Sequence, residues 1–307
     1  MQQVLRIGTR DSQLAVWQAT WVQSLLKEAG VASKLVYIKS EGDLDTVTPL
    51  YALGVQGVFT KTLDAALLNN RIDIAVHSMK DVPTQLAEGI QQAAVLKRAS
   101  HKDIFVYKGG TGFLDNLHSE AIIATGSIRR IAQWRHRYPN HKAENLRGNV
   151  NTRLRKLEES NWNGAIFAAA GLERIHLRPA NSIDLDWMLP APAQGAVMVV
   201  CREEDEDVLQ ACRSFNDEAT ALCTKLEKDF LRVLMGGCST PISAFAEING
   251  DTVLFKGNIC SPDGAHLVEL QLERSRNESE NLGEEAAYQL LTDKKAQHII
   301  ETVRNGK

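Results

Sequence analysis

Apolar positions along this chain follow two alternating rhythms. Short apolar runs end in polar turns, and the stretches after them carry apolar residues every three or four positions. VLRIGTR (Val4 to Arg10) reads as a strand. Asp11 or Ser12 can cap the following helix, QLAVWQATWVQSLLKEAG, which closes at Gly30. KLVYIKS is the next strand, so strand–helix–strand order predicts a parallel α/β sheet. EGDLDTVTPLYALGVQGVF has no period and reads as a long loop. TKTLDAALLNNR is an amphipathic helix, and IDIAVHSMKDVP a buried strand running into a polar turn.

A second block from Lys102 repeats this grammar. IIATGSIRR and AENLRGN each give a strand and turn, IAQWRHRY and VNTRLRKLEES give helices, and GAIFAAAGLERI is strand then helix. LPAPAQGAVMVVCR is a Pro/Gly-punctuated segment before a strand, suited to a crossover back to the first block. The rest differs. EATALCTKLEKDFLRVL is a long amphipathic helix, Asn249-Gly250 signals a hairpin, and a second strand pair plus one C-terminal helix complete an α+β unit.

Composition narrows the class. The 307 residues suffice for two or three domains, and 44% hydrophobic with 24% charged residues is an ordinary globular balance. A net charge of -3 supplies no overall basic field for nucleic acid or an anionic membrane. The N-terminus does not read as a signal peptide, and no apolar run suggests a membrane span, so a cytoplasmic protein is expected. Five cysteines, with no Cys-x-x-Cys pair and no zinc spacing, predict neither a disulfide framework nor a metal site.

Candidate chemistry sits at strand ends. Arg10, Arg129, Arg130, Arg147, Arg153 and Arg174 all fall near strand–helix junctions, where guanidinium groups and helix N-termini bind anions. VHSMKDVP delivers Ser78, Lys80 and Asp81 to the end of a buried strand. Lys80 can bind an anion, and Asp81 can accept N–H bonds or move protons. His77 reads as a hydrogen-bonded structural residue, with a general base as the alternative. LMGGCSTPIS (Leu234 to Ser243) places Cys238 after two glycines, a setting for a nucleophile, an attachment point or a buried loop thiol.

The ordered motifs IGTRDSQLAVWQA, DIAVHSMKDVP, TGSIRR, LRGNVNTRL, AAAGLERI, LPAPAQGA and GGCSTPI resemble the porphobilinogen deaminase (hydroxymethylbilane synthase) family. The resemblance implies two periplasmic-binding-protein-like (type II) α/β domains plus a small α+β C-terminal domain. Their expected bounds are 1–98 with 195–213, 102–190, and 217–307. It implies head-to-tail condensation of four porphobilinogen molecules with loss of ammonia, then hydrolytic release of hydroxymethylbilane. It implies a dipyrromethane cofactor in thioether linkage to Cys238 and Asp81 as the catalytic group. The absence of an obvious association helix favours a monomer, and the net charge favours neither a nucleic-acid nor a membrane partner. Arg10, Ser12, Ser78, Lys80, Thr125, Ser127, Arg129, Arg130, Arg147, Arg153 and Arg174 become binders of cofactor and substrate carboxylates. Gln194, at a hinge-region position, and Phe59, in a lid loop, are secondary candidates. Three positions depart from the family pattern: Ala52 and Gln56 stand where lysines are common, and Gly126 lacks a hydroxyl. The rival reading is a soluble binding protein for a multi-carboxylate or phosphate ligand. It accounts for twin α/β blocks and arginines, but not for the third domain or the cysteine loop.

Overall fold

The computed structural model describes residues 4–39, 60–234 and 240–305. Ala52, Gln56, Phe59 and Cys238 lie outside the described residues. The chain divides into two compact units, one formed by residues 1–46, 55–99 and 195–222, the other by 47–54, 100–194 and 223–307.

The first unit is built on a five-stranded sheet. Its strands are β1 (Leu5–Thr9), β2 (Ser33–Tyr37), β3 (Ile74–Ser78), β4 (Ile90–Leu96) and β10 (Val197–Arg202), in the order β2-β1-β3-β10-β4. β2, β1 and β3 run parallel, while β10 is antiparallel to both its neighbours. Strand β10 follows the Pro/Gly segment, so that segment is the crossover its punctuation predicts. Helix α1 (Gln13–Glu28) packs Ala19, Val22 and Leu26 into the core beside Ile7, Ile74, Val76 and Val199. Ser12 is its N-cap and accepts from the Ala15 N–H at 3.4 Å. Helix α2 (Lys61–Leu68) buries Leu63, Ala66 and Leu67 and contacts β1, β3 and β10.

The second unit contains a sheet of the same form. Strands β5 (Asp103–Tyr107), β6 (Ile122–Ala124), β7 (Lys142–Glu144), β8 (Gly164–Ala168) and β9 (Ser182–Asp184) lie in the order β7-β6-β8-β5-β9. Again three neighbouring strands are parallel, and an antiparallel strand, β5, sits fourth. Each antiparallel fourth strand lies next to a point where the chain changes unit, β5 just after residue 100 and β10 just after 194. Helices α3 (Ile128–Arg137), α4 (Val150–Glu159) and α5 (Ala169–Glu173) follow the three parallel strands. The topology gives the twin α/β architecture expected from sequence.

The same unit carries a three-stranded antiparallel sheet of β11 (Ile242–Asn249), β12 (Thr252–Cys260) and β13 (Leu267–Ser275). Asn249 pairs with Thr252, so the hairpin turns on Gly250-Asp251, one residue later than the Asn-Gly pair suggests. A positive φ of 61° at Gly250 is what a type II′ turn requires at its first central position. One further strand forms where a strand pair was expected. The expected C-terminal helix is two helices, α8 (Leu282–Leu290) and α9 (Lys294–Asn305). Asp293 makes the break, because its carboxylate accepts from the N–H groups of Lys295 and Ala296 and starts a new helix. A Cβ on Gly283 would lie 2.0 Å from the Leu226 carbonyl oxygen of α7 (Glu218–Val233), so α7 and α8 meet backbone to side-chain-free backbone. The first unit also carries α6 (Glu206–Arg213), which follows β10. Among the described residues no helix is long and apolar enough to cross a membrane.

Candidate active site

In the first unit the candidates gather at the carboxyl ends of the neighbouring parallel strands β1 and β3. Register pairs Gly8 with Ala75, so Arg10 emerges beside the end of β3. Ser78 closes β3, and its hydroxyl is bonded to the Gln18 amide of α1 at 3.0 Å. A single 3-10 turn, Met79–Asp81, follows. Met79 and Val82 are buried on either side of it, which leaves Lys80 and Asp81 half-buried at the sheet edge. Met79 N–H donates to the Ala196 carbonyl at 3.0 Å and pins the turn to the segment entering β10. The turn is thus fixed by apolar anchors while its two charged residues stay accessible.

His77 precedes Ser78 on β3 and is buried. It is 6% exposed, and its Nε2 has no hydrogen-bond partner. Burial, assisted by the positive charge of Arg10, lowers its pKa to about 4. The ring is therefore neutral at pH 7 and adds no charge beside Asp81.

In the second unit a matching set gathers at the carboxyl ends of β6, β7 and β8. Thr125 and Ser127 follow β6, and the Thr125 hydroxyl accepts from the Ser127 N–H at 3.3 Å. Arg129 and Arg130 lie in the first turn of α3, Arg147 follows β7, and Arg174 ends α5 after β8. Arg153, on α4, is half-buried and donates from Nε to the Gly148 carbonyl at 2.7 Å. Arg147 and Arg174 are buried. Burial pulls the Arg174 pKa down to about 10, against the opposing charge of Glu173, so it remains a cation at pH 7. Arg147 lies three residues beyond the end of β7 rather than on it. The intervening backbone instead closes on Gly126, where an added Cβ would lie 2.7 Å from the Leu146 carbonyl oxygen. That contact gives the family departure at Gly126 a local reason, since a side chain there would displace backbone.

Arg129 and Arg130 both bond to one acid that the sequence pattern did not single out. Asp103, at the start of β5, is wholly buried. Its carboxylate accepts from Arg129 Nη2 at 2.7 Å, Arg130 Nη2 at 2.7 Å, Arg130 Nε at 3.1 Å and Gln194 Nε2 at 2.9 Å. Burial alone would raise its pKa, but the two guanidinium charges and these bonds hold it far below the usual carboxylate range. Arg129 and Arg130 also donate to the carbonyls of Leu189 and Ile166. The only available signal was one acid opening an otherwise apolar run, DIFVY.

A second missed acid is Glu227 of α7, also wholly buried. It accepts the N–H of Ala193 at 2.6 Å and of Ala246 at 2.8 Å. Ala193 has φ of 62°, unusual for a residue with a side chain, so Glu227 fixes a strained turn next to Gln194. It joins that turn to α7 and β11, the two elements between which Cys238 lies in sequence.

The four cysteines among the described residues, Cys201, Cys212, Cys223 and Cys260, are all buried. Burial pushes the thiol of Cys201 up to about 11 and those of Cys212 and Cys260 to about 12. None of those three supplies thiolate at neutral pH. Among the described residues no group of three or more His, Cys, Asp or Glu is placed to hold a metal ion.

The chain matches two family models: residues 5–210 match "Porphobilinogen deaminase, dipyromethane cofactor binding domain" and residues 221–292 match "Porphobilinogen deaminase, C-terminal domain". It is 40% identical over 295 residues to the porphobilinogen deaminase of Pelotomaculum thermopropionicum, covering 95% of this chain and 94% of that one. It is 37% identical over 311 residues to that of Desulforamulus reducens, covering all of both chains. Among solved structures, the substrate-binding protein of an amino acid ABC transporter aligns at 14% identity and TM-score 0.38, over 69% of this chain and 91% of that one. With family models spanning both its parts and relatives at about this identity along its whole length, the chain belongs to the porphobilinogen deaminase family.

Proposed function

We propose that this protein is a hydroxymethylbilane synthase. It joins four porphobilinogen molecules head to tail, releases one ammonia per molecule, and takes up one water when the linear product leaves. The observation that carries the reading is the gathering, in each unit, of the family's charged residues at the carboxyl edge of three parallel strands. The proposed domains are 1–98 with 195–213, 102–190, and 217–307.

Each pyrrole unit carries an acetate and a propionate, so a chain of several rings presents many carboxylates. Arg10, Arg147, Arg153 and Arg174, with Ser12, Ser78, Lys80, Thr125 and Ser127, supply cationic and hydroxyl donors of the matching kind. Arg129 and Arg130 bring a net positive cluster. Asp81 is the catalytic group: half-buried on its pinned turn, it accepts pyrrole N–H groups, stabilises the cation left by loss of ammonia, and takes up the proton released on coupling.

The family's dipyrromethane cofactor supplies the primer onto which substrate units are added. The donor set fits such a group, since it presents arginines for four carboxylates. Cys238 is the attachment residue in this reading, supported by the burial of all four other thiols. Gln194 and Phe59 have secondary roles in this reading, Gln194 in the connection to β10 and Phe59 in the segment that precedes α2 in sequence.

Intact-mass measurement tests the proposal. Freshly purified protein carries extra mass equal to two condensed pyrrole units, and Cys238→Ser lacks it. An unmodified wild-type mass, with no consumption of porphobilinogen, would end this reading.

A further inference from the structure

The Asp103 cluster is electrostatically incomplete. Two guanidinium groups face one carboxylate, and their side chains are 5%, 6% and 0% exposed for Arg129, Arg130 and Asp103. Among the described residues no other acid lies within ion-pair distance of either arginine. Gln194, the fourth member, is neutral. One excess positive charge is therefore held where little water screens it, and leaving a buried charge uncompensated is costly. The strain falls on Arg129: burial depresses its pKa, Asp103 opposes this, and Arg130 adds to it. Its Nε is buried without a hydrogen-bond partner.

The surroundings favour an anion. Arg129 and Arg130 occupy the first turn of α3, a ten-residue helix whose N-cap, Ser127, makes no side-chain capping bond. First-turn N–H groups and the positive end of the helix dipole thus add to the same excess charge. The half-buried Gly126 and Ser127 lie at the entrance to this turn. Carbonyls of Leu189 and Ile166 fix the two guanidinium groups from behind, and Gln194 braces Asp103 while also donating to the His101 carbonyl at 2.8 Å. Every strong contact that orients the arginine pair passes through Asp103 or through backbone carbonyls.

We propose that Asp103 is a positioning residue for the reaction. It holds Arg129 and Arg130 in one rigid arrangement that keeps a single positive charge uncompensated, and a carboxylate of the pyrrole substrate or growing chain neutralises that charge. This rests on the synthase reading. Asp103 touches no substrate and moves no proton. A single acid matters here because two would cancel the charge and none would leave the arginines to repel each other and separate.

The test compares wild type, Asp103→Asn and Asp103→Glu by initial rates of porphobilinogen consumption, thermal midpoint and intact mass. Wild-type consumption checks the synthase reading on its own, so its failure is separate from failure of the Asp103 role. Asp103→Asn keeps the shape but raises the excess to two charges. Its KM rises about tenfold or more with a smaller change in kcat, its midpoint falls by roughly 5–10 °C, and less of the purified protein carries the primer mass. Asp103→Glu overpacks the pocket and loses a comparable part of the midpoint, yet it recovers most of the KM and primer loading because the charge is kept. An Asp103→Asn protein with a lowered midpoint but KM within twofold of wild type would reduce Asp103 to a structural counter-ion and overturn the proposal. So would an Asp103→Glu protein as impaired in KM as Asp103→Asn. Should Asp103→Asn not fold, Arg129→Met decides: it leaves a neutral Arg130–Asp103 pair, and an unchanged KM there refutes the excess-charge receptor.

Discussion

Acid should destabilise this protein through His77, and the size of the effect follows from its burial. The ring is 6% exposed on a central strand, its Nε2 is unpartnered, and Arg10 lies close enough to repel a second positive charge. Its pKa in the folded chain is about 4, against 6.5 for a free histidine. The folded value is the lower one, so between these two pH values the unfolded chain binds the extra proton. The contribution is therefore intact above about pH 6.5 and is lost as pH falls toward 4. At about 1.4 kcal/mol per pH unit, the loss is roughly 2 kcal/mol by pH 5 and roughly 3 kcal/mol in all. Asp64 acts oppositely in part of this window, because burial raises its pKa to about 6 against a weaker hydrogen bond from Thr60. Comparing wild type with His77→Gln removes that complication, since both share Asp64. Urea unfolding followed by circular dichroism at pH 7.5, 6.0 and 5.0 gives the two profiles. The gap between wild type and His77→Gln should shift against wild type by about 2 kcal/mol from pH 7.5 to 5.0. Parallel profiles, within about 0.5 kcal/mol, would refute the assignment of a buried neutral ring.

Two other outcomes follow from named contacts. Gly126→Ser, which restores the family's hydroxyl, should cost about 1–3 kcal/mol in thermal or urea unfolding, because its Cβ meets the Leu146 carbonyl at 2.7 Å. Asp81→Asn should leave the thermal midpoint nearly unchanged, since Asp81 is half-buried on a turn held by Met79 and Val82, yet reduce porphobilinogen turnover by at least about a hundredfold.

Much of the architecture was legible because secondary structure is written in local periods. The strand–turn–helix grammar, the Ser12 cap and the crossover into β10 all rest on neighbours a few residues apart. The short errors are local too. The hairpin slipped by one residue because both Asn249-Gly250 and Gly250-Asp251 suit a tight turn, and register decided between them. The final helix broke at Asp293 because a side-chain cap competes there with helix continuation.

By itself, then, the sequence determined the twin α/β grammar, the placement of charged residues after strands, and the family-specific order of motifs around Asp81 and Cys238. Only the tertiary structure decided which charges answer one another. Asp103 meets Arg129 across 26 positions and Gln194 across 91, and Glu227 meets Ala193 across 34. Periodicity holds no record of such pairs, because a buried carboxylate is chosen by the donors that folding brings around it. An exposed arginine and one locked on a buried acid look the same in sequence. They differ in what water and neighbouring charge leave them free to bind.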